Sequence, residues 1–231
     1  MANKKSKEEL VEIRPIETKE VLITIVGDTP LICHAWSTKA KRMMLEAQQG
    51  KAKGKKKDFK NPYADFVDSL YWLEGKPSTD GGEDEVREAF EEAVKGGARF
   101  GFPVNAIKDA TVSAAFRNGW TKDKVSARGA FFIKGKDGNT EFAEVLSDNA
   151  PAMREDMVKI GMGSADLRYR GEFRDWKMKI IISYNVNGTY NLESIVNMLN
   201  AGGFSCGIGE WRPEKEGTNG MYHVGSYEEE R

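Results

Sequence analysis

The residues best suited to chemistry lie near the end of the chain, where Gly202 to Val224 read GGFSCGIGEWRPEKEGTNGMYHV. Six glycines fall between positions 202 and 220, with Trp211, Arg212 and Lys215 among them. Glycine permits positive φ and close approach of a second backbone. Bare amides in such a loop can form an anion-binding concavity. Arg212 and Lys215 would add charge to it, and Trp211 a flat face for a base. The same residues also suit a long turn that only reverses the chain before a final strand, and the sequence leaves both readings open.

Two further stretches place cations beside aromatics. Residues 51–60 read KAKGKKKDFK, giving Lys51, Lys53, Lys55, Lys56, Lys57 and Lys60 with Phe59. Between Lys39 and Lys60 nine Lys or Arg stand against two acids, a local +7 in a chain whose formal net charge is −1. The stretch from Asp166 to Trp176, DLRYRGEFRDW, carries Arg168, Arg170 and Arg174 with Tyr169, Phe173 and Trp176. Binding of a single strand needs charge that tracks the backbone and flat faces on which bases stack. Arginine also bridges phosphates in bidentate fashion. Three such clusters on a nearly neutral chain mean that positive charge is concentrated rather than spread, which points to nucleic acid. A solvated lysine loop is the plainer alternative for residues 51–60. The segment is not a P-loop, since the glycine spacing is absent and a lysine follows Gly54-Lys55 where Ser or Thr is required.

For catalysis the chain offers little. It has two histidines, His34 after the first strand and His223 in the last. No H-E-x-x-H, paired-cysteine metal spacing or G-x-S-x-G occurs. His34 could serve a metal-independent ribonuclease as general base, but a lone histidine is more often structural. Asp166 and Asp175 sit among arginines, where salt bridging accounts for them more simply than a metal. The expectation is therefore no cofactor, no metal and no enzyme activity, with a His34 endoribonuclease as the alternative.

The elements that must position these residues follow from periodicity and punctuation. Val21–Val26 reads as a buried strand ended by Gly27-Asp28-Thr29-Pro30, and Leu31–Trp36 continues extended. Ser37 caps a helix to about Gln49. Helices are expected over Tyr63–Leu73, Glu83–Val94 and Val104–Phe116, the last entered through Pro103. Arg128–Lys134 and Glu141–Leu146 read as paired strands around a Lys136–Asn139 turn. Met153–Ile160 and Trp176–Asn185 read as strands, Asn191–Ala201 as a helix ended by Gly202-Gly203, and Met221–Tyr227 as the last strand. The expected fold class is α+β, a ferredoxin-like antiparallel sheet with helical and loop insertions. Residues 1–18 form a polar tail, 19–227 a single domain with a basic insertion around 50–61, and 228–231 an acidic tail.

The two cysteines, Cys33 and Cys206, make neither a disulfide framework nor a zinc site. The charged segment Met1–Glu12 lacks the apolar core of a secretory signal, and no apolar run suits a membrane span. The expectation is a cytoplasmic protein, in the host cytoplasm if phage-encoded, with no membrane partner.

Phe100–Ala110, FGFPVNAIKDA, resembles the strand-to-helix segment of the RAMP superfamily, the repeat-associated ferredoxin-like proteins of CRISPR effector complexes. There an extended segment ends in proline and the next helix carries a basic residue toward RNA, a position matched by Lys108. The terminal glycine-rich loop and the first strand followed by Thr29-Pro30-Leu31 are similar to the same superfamily. The block Asp166–Trp176 with Gly207–Pro213 also looks like an uncharacterised phage-encoded family. The resemblance implies a backbone-type subunit that assembles as a homo-oligomer along a single strand, with the lysine insertion in place of that superfamily's finger. The function expected is binding of single-stranded RNA or DNA, as in recombination, annealing or an RNA-guided complex, with a virion or scaffold assembly protein as a further alternative. The contacts expected are Lys51, Lys53, Lys55, Lys56, Lys57, Lys60, Lys108, Arg168, Arg170, Arg174, Trp211, Arg212 and Lys215.

Overall fold

The computed structural model describes residues 15–50, 60–160 and 163–229. The lysines at 51, 53, 55, 56 and 57 lie outside the described residues. The first strand, β1 (Thr18–Gly27), alternates: Val21, Ile23 and Ile25 are buried while their neighbours are partly open. It pairs antiparallel with β9 (Lys177–Asn185) on one side and with β10 (Tyr222–Glu229) on the other. β9 alternates in the same phase, burying Met178, Ile180, Ile182 and Tyr184. On its far side β9 takes β5 (Phe131–Gly135) along most of its length and the end of β6 (Phe142–Leu146) at Met178 and Lys177. β4 (Arg99–Pro103) and β3 (Tyr71–Glu74) continue the sheet from β6, all antiparallel. The fold is α+β with antiparallel sheets.

Two helices cover the buried face. α4 (Val104–Arg117) and α6 (Leu192–Ser205) pack against each other and supply Ile107, Val112, Ala115, Ile195, Met198 and Leu199 to the core. α6 does not stop at Gly202-Gly203 as the sequence suggests. Both glycines are helical, and they are glycines because neighbours lie where a side chain would go: a Cβ on Gly202 would sit 2.9 Å from the Thr111 backbone of α4, and one on Gly203 would strike the carbonyl of Tyr222.

A second sheet joins β2 (Leu31–Cys33), β8 (Ser164–Phe173) and β7 (Ala152–Ile160). It packs on α2 (Pro62–Ser69), where the Ser69 hydroxyl accepts from the Gly171 amide at 2.8 Å and Leu70 occupies the space above Gly171. The Tyr63–Leu73 segment thus departs from the expected helix: it turns at Leu70 and becomes β3, whose Trp72 indole donates back to the Val67 carbonyl at 2.8 Å. Arg128–Lys134 also departs from expectation. The Asp123 carboxylate caps the Ser126 amide at 2.7 Å and draws Lys124–Ala130 into a helix, α5, so the strand starts at Phe131 and pairs with β9 rather than with β6. The remaining helices, α1 (Thr38–Gln48) and α3 (Glu83–Lys95), lie close to their expected bounds. Among the described residues no helix is long and apolar enough to cross a membrane.

Candidate nucleic-acid interface

β2 ends at Cys33, and the chain runs on through His34, Ala35 and Trp36 to Ser37, which caps α1 by accepting from the Ala40 amide at 3.0 Å. The Ala35 amide donates to the Ser69 carbonyl of α2 at 2.8 Å. This short crossing is therefore pinned at both ends, and it forms one wall of a cleft of about 640 Å³. The opposite wall is β8, with Asp166, Arg168 and Tyr169. Lys60 and Asp65 enter from the α2 side, and Glu210 from the glycine-rich loop.

The charged groups here form a chain of pairs. Lys60 Nζ lies 2.9 Å from Asp166 and also donates to the Leu167 carbonyl. Arg168 Nε donates to Asp166 at 3.1 Å, and its Nη1 lies 3.4 Å from Nε2 of His34. His34 Nδ1 is 3.2 Å from Glu210. With a guanidinium at one nitrogen and a carboxylate at the other, the consistent arrangement is Nδ1–H donating to Glu210 while Nε2 accepts from Arg168. The hydrogen bond from His34, joined by the field of Arg170 and against the opposing effect of burial, holds the Glu210 carboxyl below the usual carboxylate range. Lys60 is the first cause of the same downward shift at Asp166.

Arg170 is a different case. Two residues from Arg168 on the same strand face, its side chain is 6% exposed and bonded to Asp156 at 3.0 Å, with Glu210 at 3.5 Å. Arg154 holds the other oxygen of Asp156 at 2.9 Å, and the Trp211 side chain lies nearby and helps lower the Asp156 pKa. Burial pushes the Asp156 carboxyl up, but the bonds from Arg154 and Arg170 outweigh it and leave it lowered. Arg170 therefore serves as an internal strut, with no face open to a strand. Arg174, by contrast, is 74% exposed, with one contact to Glu172 at 3.3 Å. The aromatics of that stretch divide likewise: Phe173 and Trp176 are buried core residues, and Tyr169 alone reaches the cleft.

The glycine-rich loop folds onto the protein. The amides of Ile208, Glu210, Gly217, Asn219 and Gly220 donate to the carbonyls of Gly220, Ile32, Arg212, Trp211 and Pro30. These donors are not bare, so they form no anion concavity. The glycines serve close approach instead: a Cβ on Gly209 would lie 2.5 Å from the Ile32 carbonyl oxygen. Trp211 itself holds φ +51, is 39% exposed and lies beside Asp156. Arg212 is tied to the Gly209 carbonyl at 3.0 Å and to Glu214, while Lys215 is exposed on a 3₁₀ turn, Pro213–Lys215.

Lys108 stands apart from the cleft. Its ammonium lies 4.3 Å from the Phe132 ring centroid, and burial, then Arg128, lower its pKa. The cleft thus unites Lys60, Arg168 and His34 from the residues picked out in the sequence, adjoins Trp211 and Arg212 through Glu210, and leaves out Lys108. Sequence reasoning passed over Glu210 and Trp36, and named Tyr169 only as one aromatic of the arginine-rich stretch. Trp36 carried a usable signal: an aromatic in a polar crossing, just ahead of a helix cap, with no periodic apolar partner. Among the described residues no group of three or more His, Cys, Asp or Glu side chains is placed to hold a metal ion. No protein-family model and no curated protein matches the chain.

Proposed function

We propose that this protein binds single-stranded nucleic acid across the His34–Arg168 cleft, with the lysine-rich segment as its electrostatic arm. The observation that carries this reading is convergence. Lys60, at the end of the lysine segment, and Arg168, from the arginine-rich strand, meet within one chain of ion pairs beside the glycine-rich loop. Both cations are partly exposed, at 40% and 36%. Ion pairs that exposed contribute only about 0–1 kcal/mol, so a phosphate can replace Asp166 as their partner at little cost. In the lining of the cleft three carboxylates, Asp65, Asp166 and Glu210, outnumber the cations Lys60 and Arg168, which leaves the long-range attraction to the lysine segment.

The strand order β10-β1-β9-β5, with α4 and α6 as the two crossings, supports a ferredoxin-like reading of the central unit, extended by the second sheet and by α1 to α3. Self-association along a strand is supported by α1, whose residues 41–48 are all exposed, Met43 and Leu45 by more than half.

Fluorescence anisotropy of a labelled oligonucleotide across a salt series tests the proposal. Replacing residues 51–59 by a short Gly/Ser linker removes five lysines and should leave the fold intact. Single strands show a log–log salt slope of about −0.7 per phosphate neutralised, so the loss of roughly four contacts should make the slope shallower by about 3. An unchanged slope removes the electrostatic basis of the reading.

A second reading, RNA cleavage, has one observation in its favour: the His34–Glu210 pair has the form of an oriented general base. Its Nε2, however, faces Arg168 rather than open cleft. Cleavage of labelled RNA in EDTA that is lost in both His34→Ala and Glu210→Gln would favour catalysis over binding alone.

A further inference from the structure

We infer that Trp36 is the base-stacking platform of the cleft, seating one unpaired base beside the cations that hold its phosphate. This rests on the nucleic-acid reading and adds to it the residue that reads the base rather than the backbone. Trp36 is 65% exposed, the most open of the tryptophans, and it lines the same cleft as Lys60, Arg168 and Tyr169. Its ring is open but its backbone is fixed: the Ala35 amide is held by Ser69, and Ser37 is held as the cap of α1. A flat apolar ring presented on a pinned crossing loses little freedom when a base covers it, which is what a preorganised site requires.

Size and chemistry agree with a single-stranded ligand. The cleft, at about 640 Å³, falls within the range of small-ligand sites, roughly 300–1,000 Å³, and so suits a splayed nucleotide rather than a duplex. Bases recognised singly are stacked on aromatic faces while cations track the backbone. Trp211 is the weaker candidate for the same task, because it is less exposed and its side chain is engaged with Asp156.

The experiment compares wild type, Trp36→Ala, Trp36→Phe and Trp211→Ala on fluorescein-labelled oligo(dT), oligo(rU) and an abasic strand of equal length. A base–aromatic stack is worth about 1–3 kcal/mol, so Trp36→Ala should weaken binding to the base-bearing strands by about 5- to 150-fold. Trp36→Phe should recover most of that loss, the salt slope should stay the same, and the melting temperature should hold. On the abasic strand, wild type and Trp36→Ala should bind alike. Equal weakening on both kinds of strand, or no weakening on either, overturns the assignment while leaving the nucleic-acid reading in place. A shift to smaller species in sedimentation velocity with binding per protomer unchanged also overturns it, and makes Trp36 with Met43 and Leu45 a contact between copies. Failure of the wild type to bind any of the strands sinks the nucleic-acid reading itself.

Discussion

Between Gly207 and Gly220 the backbone donors are turned inward onto Ile32, Pro30 and the loop itself, whereas in the adjoining cleft the ends of Lys60, Arg168 and Trp36 are turned outward. Both regions are dense in the residue types that chemistry uses, and they meet at Glu210. They differ in what surrounds the polar groups. Glycine density in the loop marks places where two backbones touch, and most of the amides there are already bonded to carbonyls. The cleft is built from half-exposed side chains whose partners are weakly held and can be exchanged. The loop should therefore govern stability with little effect on affinity, and the cleft the reverse.

Arg170 tests that division most severely, because it stands between the two. Its guanidinium is buried against Asp156, itself 8% exposed, and its Nε has no partner among the described residues. Removing one member of a buried pair costs about 3–5 kcal/mol when the other charge is stranded; Asp156 keeps Arg154 at 2.9 Å, so the loss here falls at the lower end of that range. Arg170→Met should lose that much in urea denaturation, while the folded fraction keeps its affinity for oligonucleotide. Arg170→Met with Asp156→Leu should recover part of the stability, since apolar replacement of a buried pair is often neutral or better, while Arg154 gives up Asp156 and keeps Glu172. A fall in the affinity of folded Arg170→Met would return Arg170 to the binding surface.

The next largest effect is expected within the loop. Gly220 holds φ +68, and a Cβ there would overlap the Ile208 carbonyl oxygen. Backbone strain of this kind costs on the order of 1–3 kcal/mol, and the collision adds to it. Gly97, with φ +85 and open space around it, is the control that carries the conformational cost alone. Gly220→Ala should thus destabilise more than Gly97→Ala, and neither should change affinity. Reduced affinity without reduced stability in Gly220→Ala would mean that the loop touches the strand after all.

These positions also show what could be read in the chain beforehand. β1, β9 and α3 were legible because each buries one face against one layer, so its period survives in the sequence; α4 is buried all round from Ala110 to Ala115 and was marked instead by Pro103 at its start. The end of α2 was not legible. Leu70, Tyr71 and Leu73 suit a helix stripe and a strand equally, and the choice was made by the Trp72–Val67 hydrogen bond and by pairing with β4. Gly202-Gly203 looked like a helix stop because the helix and strand that need the space above them, at Thr111 and Tyr222, are distant in sequence. Arg168 and Arg170 are indistinguishable as letters. In the β7–β8 ladder Asp156 stands opposite Arg168, yet Arg168 turns to Asp166 and His34 while Arg170 reaches diagonally to Asp156, and only those side-chain directions separate a surface cation from a strut. The meeting of Lys60 with Asp166, 106 positions away, leaves no local trace.

Acid should act on the strut and the cleft together. Asp156, Asp166, Glu210 and Glu214 all have carboxyl pKa values lowered by cationic or hydrogen-bonding partners. A carboxyl whose folded pKa lies below its unfolded value of about 4 contributes its full stability above that value and loses it as pH falls through the folded one. Unfolding free energy should therefore be nearly flat from about pH 8 to pH 5 with respect to these groups and decline below about pH 4. Asp156→Asn should flatten part of that acid limb. A main loss of stability above pH 5 would show that other groups control it.

The smallest effect, and the sharpest for the cleft, is expected at Lys60. Its ammonium is 40% exposed, pairs with Asp166, donates to the Leu167 carbonyl and lies 5.8 Å from the centroid of the Tyr169 ring. As an exposed pair it should contribute only about 0–1 kcal/mol to the fold, so Lys60→Ala should melt close to wild type. If Lys60 exchanges Asp166 for a phosphate on binding, that variant loses one neutralised phosphate, and the salt slope should become shallower by about 0.7. Asp166→Asn sharpens the same point from the other side. It frees Lys60 and Arg168 from their shared competitor, so affinity should rise at low salt and the advantage should fade as salt increases. A Lys60→Ala variant with an unaltered slope, together with an Asp166→Asn variant of unaltered affinity, would mean that these pairs stay closed and that the strand lies elsewhere. The contrast between a committed loop and an exchangeable cleft would then fail on the cleft side.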